Sequence, residues 1–182
     1  MDEISRKILH ETVVGVLGDA SIQWTFDRHG NAYGWVKLRQ PDLLTALAPR
    51  LAEAKTRLLT ITAYLLDKYA RGEGREIAYH FDREGVVLTV TVCVETDPSR
   101  VPSLTRWFHS ADWNEREFME LYDIIVEGHP NPRRLFLDKD TDARPLDNLI
   151  PLSTMMNGAC TSTLWEKVFA GTQMPQWAKE SK

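Results

Sequence analysis

Residues 75–95 read Arg75-Glu76-Ile77-Ala78-Tyr79-His80-Phe81-Asp82-Arg83-Glu84-Gly85-Val86-Val87-Leu88-Thr89-Val90-Thr91-Val92-Cys93-Val94-Glu95. Ile77, Tyr79 and Phe81 alternate with Glu76, Ala78 and His80. Val86, Leu88, Val90, Val92 and Val94 then alternate with Val87, Thr89, Thr91, Cys93 and Glu95. Successive side chains on a strand point to opposite faces, so two period-two runs predict two strands, over 75–82 and 86–95. Arg83-Glu84-Gly85 between them is a tight hairpin signal. The valine face of the second strand is continuously apolar and is expected to lie on helices. His80 and Asp82 fall on the opposite face of the first strand, expected toward solvent.

Working outward, residues 57–66 are rich in Thr, Ile and Leu and predict a strand before this hairpin. Ile22, Trp24 and Phe26, then Tyr33 to Leu38, flank the turn Asp27-Arg28-His29-Gly30-Asn31 and predict another hairpin. Ile4, Ile8 and Thr12, with Leu9 and Val13 beside them, predict a first helix over 2–17, ended by Gly15 and Gly18. Pro41-Asp42 opens a second helix with the stripe Leu43, Leu47 and Leu51, which Pro49 is expected to interrupt or kink. The order α-β-β-α-β-β-β, with most joins too short for parallel crossovers, predicts a two-layer α+β domain with a mixed or mainly antiparallel sheet. This domain occupies residues 1–137. From 138 to 182 periodicity fades: a short helical prospect at 163–170 lies in an extended tail broken by Pro145, Pro151, Gly158, Gly171 and Pro175. Leu149, Ile150, Met155, Met156, Trp165, Phe169 and Trp177 make that tail too apolar to be solvated alone, so it is expected to pack on this domain or on a partner.

Composition removes several classes of function. The chain has 182 residues, a formal net charge of −4 and a pI near 5.7. Without a basic excess to neutralise phosphates, nucleic-acid binding and polybasic attachment to anionic lipid are disfavoured. Cys93 and Cys160 stand far apart, whereas a structural zinc or iron–sulfur site needs about four ligands. Met1-Asp2-Glu3-Ile4-Ser5-Arg6-Lys7 has no apolar core of a signal peptide, and the most apolar stretch, 86–94, is about half a membrane span. The expectation is a soluble protein of a reducing, cytoplasmic compartment.

Few residues signal chemistry of their own. His80 and Asp82 share a strand face and supply two metal ligands for an independent metal-dependent hydrolase, but no third ligand is signalled; the alternative is a polar strand face. Cys160 has no base at motif spacing, Gly72-Glu73-Gly74 is a turn with no helix after it, and Ser162 lacks the Gly-x-Ser-x-Gly setting. The informative stretch is Trp113-Asn114-Glu115-Arg116-Glu117, opening a helix to about Tyr122 and followed by Glu127-Gly128-His129-Pro130-Asn131-Pro132-Arg133-Arg134-Leu135. Glu115, Met119 and Tyr122 share one helix face; Trp113, Glu117 and Glu120 are assigned to another. Arg116, flanked by carboxylates among Trp107, Phe108, Phe118 and Tyr122, is expected in a partly buried ion network. The rigid Gly128-His129-Pro130 turn is expected to aim Arg133 and Arg134 outward, where arginines suit a neighbour's carboxylates.

These motifs resemble the NuoC-type, or 30 kDa, subunit family of respiratory complex I. The family includes the matching subunits of group 4 membrane-bound [NiFe] hydrogenases of the Ech, CO-induced and formate hydrogenlyase type. The residues that carry the resemblance are Val101-Pro102-Ser103, Trp113-Asn114-Glu115-Arg116-Glu117, Gly128-His129-Pro130 and Arg133-Arg134-Leu135, with Tyr79-His80 in the fourth strand. It spans about residues 2–138. Three departures lean toward the hydrogenase branch. Glu120, Tyr122 and Asp123 stand where the family usually has Asp and a Phe-Gly or Tyr-Gly pair. Asn131-Pro132 replaces Asp-Leu, and Arg144-Pro145-Leu146-Asp147-Asn148 keeps only Pro-Leu of a longer stretch.

The resemblance implies a non-catalytic subunit of a peripheral arm, attached to the membrane only through its complex. Its partners would be the large subunit, hydrogenase-like or 49 kDa-like, and the small Fe–S subunit. This chain would hold no cofactor, while partner subunits carry [NiFe] or Fe–S clusters. Glu115, Arg116 and Glu117 would hold the helix in place, and Arg133 and Arg134 would face the partner. Trp113, Gly128, His129 and Pro130 complete the motif.

Overall fold

A computed structural model describes residues 2–18, 22–65, 74–94 and 98–137 of the chain. The tail at 138–182, with its expected helix and its packing, lies outside the described residues. Helix α1 (Asp2–Leu17) leads to β1 (Gln23–Phe26), β2 (Ala32–Leu38), α2 (Leu43–Glu53), β3 (Arg57–Leu65), β4 (Arg75–Arg83) and β5 (Val86–Val94). Then come β6 (Arg100–Pro102), α3 (Ala111–Tyr122) and β7 (Ile125–Glu127). The α+β class, the mixed sheet and the order α-β-β-α-β-β-β are those the sequence predicts, followed by the further strand–helix–strand unit.

The main sheet runs β1-β2-β5-β4-β3, with β2 and β5 parallel and every other pair antiparallel. Chain direction explains the single parallel pair. Helix α2 carries the chain from β2 to the far edge, and β3, β4 and β5 return as a meander that ends beside β2. The β4–β5 turn places Glu84 at φ 51° and Gly85 at φ 90°. Two successive left-handed residues match the twist of a two-residue hairpin, and Gly85 adopts its conformation without a Cβ penalty.

Valines 86, 90 and 92 and Leu88 are wholly buried beside Ile77, Tyr79 and Phe81 of β4. Leu9 and Val13 of α1, Leu44, Leu47 and Leu51 of α2 and Phe118 of α3 belong to the same apolar cluster. The helices therefore cover the valine face, as its continuous hydrophobicity requires. Helix α2 runs through Pro49 to Glu53. Proline removes one helical hydrogen bond, but burial of Leu51 a half-turn beyond rewards continuing the helix. Gly34 is needed for another reason: a Cβ there would lie 2.9 Å from the ring of Trp24, which crosses this point of β2.

The opposite face corrects one expectation. Asp82, Ala78 and Glu76 are buried and His80 is half-buried. Strand β4 is flanked by strands on both sides, so long neighbours lean over it. Glu76 accepts hydrogen bonds from Tyr64 (2.5 Å), Cys93 (3.3 Å) and Lys37 (3.4 Å), tying β3, β5 and β2 to β4. Burial, then the hydrogen bond to Glu76, pushes the Tyr64 hydroxyl up to about 12.

Strands β6 and β7 form a parallel pair of three residues each, joined by α3. Neither is long enough to show a period in the sequence. The chain leaves both strands in the same direction, at Ser103 and at Gly128, and the signature residues meet there.

Candidate functional site

Helix α3 turns Ala111, Glu115 and Phe118 into the protein, with Tyr122 half-buried behind them. This i, i+4, i+7 spacing makes one face of a helix. Glu115 is the unusual member, a carboxylate with no solvent exposure. It accepts the Leu104 N–H on Oε1 at 2.6 Å and the Ser103 hydroxyl on Oε2 at 2.7 Å. Both donors come from the exit of β6. Burial pushes its pKa up to about 7, against the two hydrogen bonds, which favour the charged form; the Asp112 charge raises it further. The Tyr79 hydroxyl, buried without a hydrogen-bond partner among the described residues, lies in the field of the same carboxylate.

His129, at the exit of β7, closes the site from the other side. Its side chain is fully buried. Nδ1 accepts the Asn131 N–H at 3.0 Å, which leaves the ring proton on Nε2. Nε2 lies 3.3 Å from the Asp112 carbonyl oxygen, 3.2 Å from Asp112 Oδ1 and 3.7 Å from Glu115 Oε2. Gly128 before it sits at φ 79°, where a side chain would be strained. The Gly-His-Pro element is thus a turn that drives an imidazole beneath α3.

One turn further round the helix, Arg116 and Glu120 hold the following segment by its backbone. Arg116 donates from Nε to the Arg133 carbonyl and from Nη2 to the Arg134 carbonyl, each at 2.9 Å. The Glu120 carboxylate accepts the N–H groups of Leu135 (2.7 Å), Phe136 (3.0 Å) and Leu137. Burial raises the Glu120 pKa, but these backbone donors more than offset it and hold the carboxyl below its ordinary value. The i, i+4 pair grips carbonyls with its cation and amides with its anion.

One sequence expectation changes here. Arg116 has no carboxylate partner among the described residues. Glu115 points about 100° away round the helix, into the protein, so adjacent positions cannot join one network. Glu120 lies on the helix face of Trp113 and Glu117, but it is buried by the segment it holds, whereas those two are exposed. Trp113 is 64% exposed. Neither Trp113 nor Glu117 has a hydrogen bond or ion pair among the described residues. The side chains of Arg133 and Arg134 are exposed. Ser103 and Glu120 carry much of the clasp without having been singled out for it. Their partners lie 12 to 17 residues away, beyond any helical spacing.

His80 contacts the hydroxyls of Thr62 (3.3 Å) and Thr89 (3.0 Å), and Asp82 pairs with Arg57 at 2.8 Å and accepts the Gly85 N–H. No group of three His, Cys, Asp or Glu residues among those described is placed to hold a metal ion.

The fold is that of a chain in the membrane-bound sulfane sulfur reductase, an archaeal respiratory membrane complex. The TM-score is 0.57 at 19% identity, over 78% of each chain. Sequence carries the assignment further. Residues 38–155 match the family described as the respiratory-chain NADH dehydrogenase 30 kDa subunit. The C subunit of the NADH-quinone oxidoreductase of Rhodopseudomonas palustris is 32% identical over 84% of this chain and 74% of its own. That of Azorhizobium caulinodans is 31% identical over 97% of this chain and 82% of its own. The chain belongs to the 30 kDa subunit family of complex I-like oxidoreductases, as its motifs indicated, and is a subunit of a multi-subunit respiratory complex. No helix among the described residues is long and apolar enough to cross a membrane.

Proposed function

We propose that this chain is the NuoC-type subunit of a complex I-type NADH–quinone oxidoreductase, and not of the hydrogenase branch toward which its motif departures lean. The similarity to such a subunit over 97% of the chain carries this reading. One departure also loses its weight. Asp123 stands where the family usually has glycine, and it sits at φ 52°, ψ 40°, the left-handed conformation that glycine supplies and aspartate tolerates. A carboxylate at 120 can likewise meet the amides of 135–137 from Asp or Glu.

In this role the chain performs no redox step and holds no cofactor; clusters belong to neighbouring subunits. Its part in the peripheral arm is to present a fixed surface to its neighbours. The buried residues of α3 set the position of the 128–137 segment, and Trp113, Glu117, Arg133 and Arg134 present an exposed surface to the large subunit. Two adjacent arginines on a fixed backbone suit a carboxylate-bearing partner.

Purification of the tagged chain from its host, with membrane complexes kept intact, tests the reading. The expected result is co-purification of a 49 kDa-type large subunit with flavin-containing NADH-oxidising subunits, and NADH-dependent quinone reduction by the sample. A [NiFe] large subunit in their place would restore the hydrogenase branch. Iron, nickel or flavin in stoichiometric amount on the isolated chain would overturn the claim that it carries no cofactor.

A further inference from the structure

The two edges of the main sheet are treated differently. Strand β1 is four residues long, and a short edge is a poor template for another strand. Strand β3 has nine residues, and the side-chain caps on its outer backbone among the described residues fall in its first half. Ser110 donates its hydroxyl to the Leu58 carbonyl at 3.0 Å, and Asn114 Oδ1 accepts the Ile61 N–H at 3.4 Å. The caps come from α3 and its N-cap residue. The Ile61 amide therefore points away from β4. Backbone groups on a strand alternate sides, so the N–H and C=O of Ala63 and Leu65 point the same way, outward, past the last cap. Their neighbours Thr62 and Tyr64 bond inward, opposite Ala78 and Glu76.

Beside this open stretch runs a groove between β3 and α3. Ile61, Ala63, Asn114, Glu117, Phe118 and Leu121 line it. Its lining mixes these apolar side chains with Thr60 and Thr62, and Glu117 is an exposed carboxylate of that lining with no intramolecular partner among the described residues. Outward backbone groups repeating every second residue are matched by an extended chain, and the groove's charge is matched by a cation.

We infer that the open edge of β3 at Ala63–Leu65, with the α3 groove beside it, takes up an extended segment of a partner subunit as a sixth strand, a lysine or arginine of that segment lying against Glu117. The inference rests on the reading that the chain works inside an assembled complex, and it extends the exposed surface of Trp113, Glu117, Arg133 and Arg134 from Glu117 onto the edge of β3. Main-chain pairing fixes the strand's register, and Glu117 selects its charge.

Hydrogen exchange, followed amide by amide, compares the free full-length chain with the chain inside the purified complex described above. In the free chain, Ala63 and Leu65 should exchange rapidly, while Thr62 and Tyr64 are protected by β4. In the complex, Ala63 and Leu65 should slow by on the order of 100-fold, with Thr62 and Tyr64 protected in both states. Equal exchange at Ala63 and Leu65 in the two states, with the complex intact, would overturn the inference and leave the family role standing. Failure of the chain to enter any complex would overturn both. Protection in the free chain that grows with its concentration would assign the edge to a second copy and contradict a partner segment. Two variants give an independent reading. Ala63→Pro removes an outward N–H at an edge position, where a strand tolerates proline, and Glu117→Lys reverses the groove's charge. Each should unfold near the wild-type temperature and lose at least tenfold in retention by the complex. Wild-type retention of both would contradict the inference.

Discussion

The signature side chains of helix α3 divide by what they do, with opposite energetics. Glu115, Arg116 and Glu120, which leave the helix in different directions, spend their polar atoms on the chain's own backbone and on Ser103, with His129 closing the site. Trp113 and Glu117, four residues apart, touch no polar partner among the described residues. Family motifs invite a single reading for such a stretch, yet half of this one is internal architecture and half is surface. The first kind of residue should be felt in stability and the second in assembly.

Glu115→Ala should break the internal group most severely. It leaves the Leu104 N–H and the Ser103 hydroxyl without their acceptor in a buried site, and removes the neighbour of His129. The expected loss is about 3–5 kcal/mol, read by denaturant unfolding of the full chain. A loss below about 1 kcal/mol would mean that the site rearranges freely.

A gentler change sharpens the same point through pH. The folded-state pKa of Glu115 is raised to about 7 from an ordinary 4.5, so the folded chain binds a proton that the unfolded chain releases. Its contribution is fully present below the unfolded value and is lost as pH rises through the folded one. A glutamine amide in its place would not titrate. The stability of wild type relative to Glu115→Gln should therefore fall by roughly 3 kcal/mol between about pH 4.5 and about pH 8. Parallel curves for the two proteins would show that the carboxyl is not held protonated.

Next in size is Glu120→Ala, at about 2 kcal/mol, because several backbone donors lose a charged acceptor but can turn to water. The effect should be local: amides 135–137 exchange faster while those of β4 and β5 are unchanged. Arg116→Ala should follow at about 1–2 kcal/mol, for two hydrogen bonds at a partly exposed site. Arg133→Ala, whose side chain is exposed, should stay within about 0.5 kcal/mol in the free protein. Equal losses for the two arginines would erase the distinction between the two groups.

Much of this architecture was legible in the sequence. The period-two runs at 75–82 and 86–95, and the leucine stripe from Leu43, are repeated signals read from many residues at once. The glycine at 85 marked the turn. What stayed hidden depends on single contacts between distant residues. Periodicity assigned Glu115 to the face of Tyr122, but not its donors from the β6 exit. It showed Arg116 between two carboxylates, while helix geometry sends the three side chains in three directions. Glu120 is buried only because residues 135–137 fold over it, which no local pattern announces. The burial of Glu76 and Asp82 likewise required knowing that β4 is flanked on both sides by strands.

The central claim is that the signature divides into an internal clasp and a docking surface. It is tested most directly by the double variant Trp113→Ala, Glu117→Ala, measured both for thermal unfolding of the free chain and for retention by the large subunit. The account predicts a Tm within about 3 °C of wild type and at least a tenfold loss of retention. A Tm lowered as far as that of Glu115→Ala, or retention equal to wild type, would contradict it.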